Sequence, residues 1–373
     1  MPSLPPFAPP LADATPIRLT SIRHPAYPDT ELPLLRLAAI DGESHGLDHQ
    51  FALTVCGILT GNSWTTGYLA TKNADGTFLR IERQANDILL DSTYYYLLST
   101  HDSSYKYPVT LSFQHYRFPH GDLPSFWDNV QIPNLTAPIR VNGKVAALVR
   151  DATCRVTAWA TALEVAHLVP YSEEKWFLSN GMSRIVLPGL TQARYCTTSS
   201  SSKPTEDRKN LITLTRDQHY HFDHRHYTIV PSQGEDSTSL ELRVLDPGSD
   251  EQLIPNYHTR TLQPITDISV EFLHARLAWS IFCDSIFPFF KGSAEYEALV
   301  FIADKGGCET VKLRSLEVPA RARIFESPRS RSVSPRKRKV GDVDADAWSS
   351  AGESWSCSQE DSLSSDDSSH DGT

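Results

Sequence analysis

The sequence predicts an α+β fold in which a strand–strand–helix segment is inserted between a β-rich N-terminal region and a C-terminal helix, followed by a disordered tail. Three observations support this prediction. Short apolar, β-branched runs fill residues 16–140, a strand–strand–helix pattern fills residues 148–232, and strongly polar blocks fill residues 319–373. Apolar runs between turn residues are typical of strands, whereas Ser-rich charged blocks lack the apolar surface that folding requires.

The N-terminal region begins with a Pro-rich stretch over residues 1–15, which we expect to be flexible. Asp75 and Gly76, placed between two apolar runs, are typical of a hairpin turn. The region therefore predicts a small sheet or sandwich and contains no pattern that indicates catalysis. The runs predicted to be strands are residues 17–22, 51–59, 77–82, 88–90, 94–98 and 108–113.

The composition limits the class of partner and the compartment. The chain has 373 residues and a formal net charge of −10. Because affinity for phosphates comes from clustered Lys and Arg, this charge excludes non-specific coating of nucleic acid but allows a local basic site. The cysteines lack CxxC spacing, which argues against a zinc ribbon and suits a reducing compartment. With neither a signal peptide nor a membrane-length apolar run, we expect a protein that is not secreted and not membrane-bound.

The central segment contains the residues that indicate chemistry. Its first predicted strand, residues 162–169, is apolar apart from Glu164 and His167 and ends at Pro170. A second predicted strand follows Asn210. The long stretch between these strands contains a run of Thr and Ser, which we expect to loop out of the fold.

The helix predicted after the second strand pairs an imidazole with a carboxylate. Thr215 or Asp217 can cap this helix, and a strand over residues 227–231 closes the segment. His219 and Asp223 are four residues apart, so their side chains project from one face. Phosphodiester hydrolysis needs a base that deprotonates water and a cation that offsets charge on the phosphate. A neutral imidazole suits the first task, and an imidazole with a carboxylate suits the second.

This arrangement resembles the HNH endonuclease family, which has a ββα-metal fold. The resemblance is closest to the branch common in fungal genomes. It implies hydrolysis of nucleic-acid phosphodiester bonds, with DNA favoured, and one divalent metal ion, Mg²⁺ first and Mn²⁺ or Zn²⁺ as alternatives. The residues that match the family motif, in order, are Cys154, Thr157, Glu164, His167, Pro170, Trp176, Asn210, Leu214, Asp217, His219, Phe222, Asp223 and Pro231.

The resemblance also implies a role for each of the central residues. His167 is expected to be the general base that activates water. Asn210 is expected to fix its loop by hydrogen bonding and to orient that base. His219 and Asp223, one helical turn apart, are expected to bind the metal ion.

Two positions leave the metal site open to alternatives. Many HNH nucleases have Asp or His directly before the base, where this sequence has Ala166. Glu164 either supplies a ligand in its place or only orients a neighbour, and His221 and His224 are the alternatives to His219. The remaining candidates are three cations expected to contact phosphates, namely Arg208, Lys209 and Arg225.

The C-terminal region, residues 233–318, predicts a strand over residues 240–245 and a helix from residue 266 or 267 to about residue 286. The tail contains a basic block followed by an acidic, Ser-rich block. The basic block predicts an import receptor as partner and a nuclear location, with the cytoplasm as the alternative. It resembles a nuclear-import signal formed by Arg336, Lys337, Arg338 and Lys339.

Three hypotheses for function follow from these features. The first is a metal-dependent HNH endonuclease. The second, motivated by Ala166, is an inactive HNH-fold module that acts as an adaptor for nucleic acid or protein. The third is a structural β-domain protein with incidental histidines. An enzyme predicts that His219 and Asp223 converge with His167 across a cleft, whereas an adaptor predicts these groups splayed or held in hydrogen bonds.

Overall fold

The computed structural model describes residues 17–82, 87–135, 141–183, 196, 203–232, 239–246 and 252–325. The strands are β1 (Leu19–Arg23), β2 (Leu35–Ala38), β3 (Leu47–Asp48), β4 (Gly67–Lys72), β5 (Phe78–Arg80), β6 (Ile88–Leu89), β7 (Thr93–Leu98), β8 (Val109–Thr110), β9 (Leu163–His167), β10 (Leu211–Thr215), β11 (Tyr227–Pro231), β12 (Leu240–Val244), β13 (Glu295–Ile302) and β14 (Gly307–Arg314). The α-helices are α1 (His49–Leu59), α2 (Ser125–Asp128), α3 (Gly143–Asp151), α4 (Glu174–Ser179), α5 (Arg216–Asp223), α6 (Leu253–Tyr257), α7 (Val270–Ile281) and α8 (Val318–Arg321).

The N-terminal region forms a five-stranded sheet in the order β2-β1-β7-β4-β5. Its strands pair antiparallel except for β1 and β7, which are parallel. The predicted hairpin at Asp75 and Gly76 joins β4 to β5. Gly76 has a φ of 86°, and the Thr77 amide donates to the Asp75 carboxylate at 2.9 Å. A residue without a side chain suits this left-handed turn position, so the local prediction is confirmed.

The predicted strand over residues 51–59 is wrong, because this run forms helix α1. The helix is capped by Asp48, whose carboxylate accepts from the Phe51 amide at 2.6 Å. Most of its residues are buried. A helix that is apolar on all sides has the same continuous hydrophobic pattern as a buried strand, and only the capping Asp48 distinguished the two.

The C-terminal region contains a long hairpin that the sequence did not predict. Strand β13 pairs antiparallel with β14 and parallel with the short β8 from the N-terminal region. His115, which follows β8, accepts from the Phe301 amide at 2.9 Å through Nδ1. Its Nε2 donates to the Arg321 carbonyl at 2.7 Å. The N- and C-terminal regions therefore share one three-stranded sheet.

The central segment has the predicted strand–strand–helix order. Strand β9 pairs antiparallel with β10, with His167 opposite Leu211 and Glu164 opposite Leu214. Helix α5 begins directly after β10 with Thr215 at its N-cap. Strand β11 follows and pairs with β12, so the predicted closing strand and the strand at residues 240–245 are confirmed.

Helix α7 confirms the predicted C-terminal helix but is shorter than expected. Its N-cap is Ser269 rather than residue 266 or 267, because Asp267 has a φ of 52° and its carboxylate pairs with Arg208. Ten consecutive residues of α7, from Phe272 to Ile281, are buried. The helix therefore lies within the core, against the central segment.

Several predicted features fall outside the described residues: the Pro-rich stretch 1–15, the Ser-rich run and the import signal Arg336, Lys337, Arg338 and Lys339. The predicted tail is described only to residue 325, and helix α8 includes its first residues. All described residues belong to one compact unit, Met1–Pro328. Within them, the helices are too short or too polar to cross a bilayer.

Candidate active site

His167, the predicted base, ends strand β9 with its side chain 17% exposed. Its Nε2 is buried and has no hydrogen-bond partner in the described part of the chain. The nearest carboxylate oxygen, Oε1 of Glu206, is 3.7 Å away. Burial lowers the pKa of His167, and the Glu206 charge opposes this shift. The imidazole is therefore neutral near pH 7 and presents an unused ring nitrogen.

Asn210 is fully buried and bonds the chain that follows His167. Its Oδ1 accepts from the Val169 amide at 2.8 Å, and its Nδ2 donates to the Val169 carbonyl at 3.0 Å. The same Nδ2 donates to the Thr205 carbonyl at 2.8 Å. The Leu168 amide donates to the Asn210 carbonyl at 2.8 Å. The Asn210 side chain thus bonds the main chain at Val169 and at Thr205, and so holds these two segments together just beyond the end of β9.

His219 lies between two carboxylates. Its Nδ1 is 2.9 Å from Oε2 of Glu164, and its Nε2 is 3.2 Å from Oδ2 of Asp223. The bond to Asp223, supported by the one to Glu164, raises the pKa of His219. Burial favours a protonated Asp223, but the bond from His219 together with the charges of His219 and Arg276 outweighs it and lowers that pKa. Bonds from Arg216, 2.8 Å away, and His219 lower the pKa of Glu164.

The pair formed by His219 Nε2 and Asp223 Oδ2 fits a divalent cation. Bonds of about 2.1 Å place adjacent ligand atoms about 3 Å apart, close to the separation observed here. Glu164 at Nδ1 matches the usual carboxylate partner of a metal-binding histidine. The described residues contain no group of three or more His, Cys, Asp or Glu side chains arranged for a metal ion. Two protein ligands would leave the remaining positions for water and phosphate.

The two alternative metal ligands, His221 and His224, contact groups other than Asp223. Nδ1 of His221 lies 2.9 Å from Nδ1 of His226, and Nδ1 of His224 lies 2.8 Å from the Tyr220 carbonyl. Among the helical histidines described, His219 is the one that contacts Asp223. The motif position and the geometry therefore favour the same residue.

The three cations predicted to contact phosphates differ in their surroundings. Arg208 pairs with the buried carboxylate of Asp267. Arg225 donates to the Phe282 carbonyl at 2.8 Å and lies 3.8 Å above the Trp279 ring. Lys209 is exposed enough to reach a ligand, with Nζ 3.0 Å from the Asn134 side chain. These internal contacts already engage both arginines, whereas the Lys209 contact is on the surface.

Sequence reasoning missed the charged pair beside His167. Nζ of Lys144, in the first turn of α3, is 3.7 Å from the same Glu206 oxygen that faces His167. Gly143 allows this approach, because a Cβ there would lie 1.9 Å from the Glu206 carbonyl oxygen. Neither position belongs to the motif, and no local pattern connects them to His167. Only the packing of α3 against the turn before Asn210 brings them together.

Comparison with known proteins identifies the same segment. Residues 152–230 match the family model HNH_2, described as HNH endonuclease. The match covers β9, β10, α5 and most of β11. No curated protein and no solved structure matches the chain. The fungal branch stays a prediction. Residues 152–230, which hold the predicted base His167, Asn210 and the His219–Asp223 pair on one ββα unit, are therefore similar to the HNH endonuclease family.

Proposed function

We propose that the protein is a metal-dependent endonuclease that hydrolyses phosphodiester bonds of nucleic acid, with DNA as the first substrate to test. One observation carries this proposal. Among the described residues, the buried Nε2 of His167 has no hydrogen-bond partner, while its ring interacts electrostatically with both Asp223 and His219. An uncharged imidazole next to a cation site has the properties of a general base.

In this proposal, His167 takes a proton from water at Nε2 and becomes an imidazolium. The carboxylate of Glu206, 3.7 Å away, stabilises the charge that forms. Nζ of Lys144, 3.7 Å from the same oxygen, pairs with that carboxylate on its other side. Asn210 holds the strand end in place while the proton moves.

The ion would be held by Nε2 of His219 and the carboxylate of Asp223. When bound, it would offset negative charge on the scissile phosphate and stabilise the departing oxygen. Glu164 accepts from Nδ1 of His219 and so presents Nε2 towards Asp223. We therefore assign Glu164 to orientation of His219 rather than to the ligand position that Ala166 leaves empty.

The test is a plasmid-nicking assay on the full chain with Mg²⁺, Mn²⁺ or Zn²⁺. We expect the wild type to nick and His167→Ala to lose activity. The control is His101→Ala, which removes an exposed histidine that contacts Thr100 and Tyr105 and should keep full activity. Equal rates for wild type and His167→Ala, or no wild-type cleavage with any of the three metals, would contradict the proposal.

The second candidate is an inactive adaptor, and one observation favours it. Both nitrogens of His219 already bond carboxylates, so a cation must displace a proton or a contact to bind there. This candidate predicts that the wild type binds DNA in fluorescence anisotropy without cleaving it. It also predicts that calorimetry with Mn²⁺ detects no binding that requires Asp223.

A further inference from the structure

A buried arginine from outside the family segment reaches the candidate active site. Arg276 lies in α7, beyond residue 230, and is fully buried. Its Nη1 donates to the carbonyl oxygens of His167 and Leu168, each at 3.4 Å. Its Nη2 donates to the carbonyl oxygen of Phe222. One guanidinium therefore bonds both the residue that carries the base and the residue before Asp223.

The surroundings keep this guanidinium charged. Burial lowers the pKa of Arg276 to about 9, which still leaves it protonated at pH 7. Its Cζ lies 3.6 Å from the centre of the Phe222 ring and 4.5 Å from that of Trp279, where the ring faces attract a cation. The negative charge of Asp223 also favours the charged form of Arg276.

A buried cation is a costly way to fill this space. A guanidinium loses its hydration on burial, whereas an apolar side chain of similar volume packs without that loss. The hydrogen-bond acceptors of Arg276 are main-chain carbonyls of two different elements. What the arginine adds over an apolar residue is thus a fixed connection between the end of β9 and the end of α5.

We propose that Arg276 is a positioning residue for the nuclease reaction, a role that rests on the proposed function of the His167 site. The contact between Glu164 and His219 already joins β9 to α5 nearer the start of both elements. Arg276 joins them at the other end, where His167 and Asp223 lie. Because small errors in the placement of reacting groups lower rates strongly, this second connection sets the distance between base and metal ligand.

The test compares Arg276→Met and Arg276→Lys in the full chain by steady-state nicking of plasmid DNA with Mn²⁺. We expect Arg276→Met to lower kcat roughly 10- to 100-fold with KM nearly unchanged, the loss typical of a residue that orients metal ligands. Arg276→Lys should recover part of kcat, because an ammonium keeps the charge but not the two-armed geometry. The matched control is Arg243→Met, which removes another buried arginine, one that bonds Asp41 and Glu241.

All variants are assayed well below their unfolding temperatures. A loss of kcat in Arg276→Met that exceeds the loss in Arg243→Met supports the role. If Arg276→Met keeps the kcat of the wild type, or if Arg276→Met and Arg243→Met lose kcat equally, the positioning role is wrong. If Arg276→Met does not fold, Arg276→Lys and Arg243→Lys decide by the same criterion. An inactive wild type ends both proposals, whereas an active wild type, an inactive His167→Ala and a fully active Arg276→Met end this one alone.

Discussion

Two regions of the molecule combine histidine with carboxylates, and they differ in how far those carboxylates are exposed to solvent. The Asp41 cluster consists of Asp41, Asp48, Glu241, Arg243 and His258. Asp41 accepts from Arg243 at 2.6 Å and His258 at 2.8 Å through Oδ1, and from the Asp48 amide at 2.7 Å through Oδ2. The side chains of Asp41, Arg243 and His258 are at most 7% exposed.

The candidate active site has the opposite properties. The Asp223 side chain is 54% exposed and His219 is 22% exposed, so solvent and a ligand reach both. Nε2 of His167 has no hydrogen-bond partner in the described part of the chain. Residue types alone therefore do not separate a structural charge cluster from a reactive one. The separating feature is exposure: the Asp41 carboxylate is closed to solvent, whereas the Asp223 carboxylate is open to it.

The largest effect expected from this comparison is on activity. His167→Ala should lower kcat about 10²- to 10⁴-fold, the usual contribution of a general base, with little change in Tm. His258→Ala should lower Tm and leave kcat nearly unchanged, because the His258 imidazole bonds the buried carboxylate of Asp41. Nicking rates and thermal unfolding of the two variants measure both effects. Similar profiles for the two variants would remove the distinction between the regions.

The next effect is on stability and concerns the Asp41 cluster. Asp41→Asn should lower the free energy of unfolding by up to about 3–5 kcal/mol, because the buried charge of Arg243 loses the nearer of the two carboxylates that it bonds. Asp29→Asn is the control, since Asp29 pairs with Lys72 at 2.9 Å on the surface and should cost under about 1 kcal/mol. Urea unfolding with an unchanged slope measures both. Equal costs would show that the cluster is not a buried network.

A smaller effect concerns pH and the fully buried His274. Burial lowers its pKa to about 3, and neither ring nitrogen has a hydrogen-bond partner within the part of the chain that the structure describes. Below pH 6.5, His274 binds a proton in the unfolded chain but not in the folded chain. The free energy of unfolding therefore falls as the pH drops. The expected loss at pH 5 is roughly 2 kcal/mol. His274→Leu should lose less stability than the wild type between pH 7 and 5, and an identical loss in urea titrations would refute this.

The smallest effect sharpens the role of Glu164. Glu164→Gln keeps a hydrogen-bond acceptor for Nδ1 of His219 but removes the charge. We expect activity to fall roughly 10-fold, the lower end for a residue that orients a metal ligand. Glu164→Ala should lower activity further. If Glu164→Gln instead abolishes Mn²⁺ binding in calorimetry, Glu164 is a ligand and the orienting role is wrong.

Sequence reasoning succeeded where the signal is local. The apolar runs over residues 162–169 and 227–231, each closed by a proline, predicted strands, and the four-residue spacing of His219 and Asp223 predicted a shared helix face. It failed at residues 51–59, because a continuous apolar run satisfies a buried helix and a buried strand equally. The β13–β14 hairpin was also missed, and the pairing of β13 with β8 joins positions almost two hundred residues apart.

The amino-acid sequence was enough to predict the order of the ββα unit, the resemblance of this segment to HNH endonucleases and the residues whose chemistry suits hydrolysis. The strands and the helix follow from patterns of neighbouring residues, and the motif follows from the order of its residues along the chain. Tertiary packing was needed to show that Glu206 and Lys144 lie beside His167, that Glu164 bonds Nδ1 of His219, and that Arg276 joins the two halves of the site. These contacts join residues far apart in sequence, and packing rather than local preference brings such residues together.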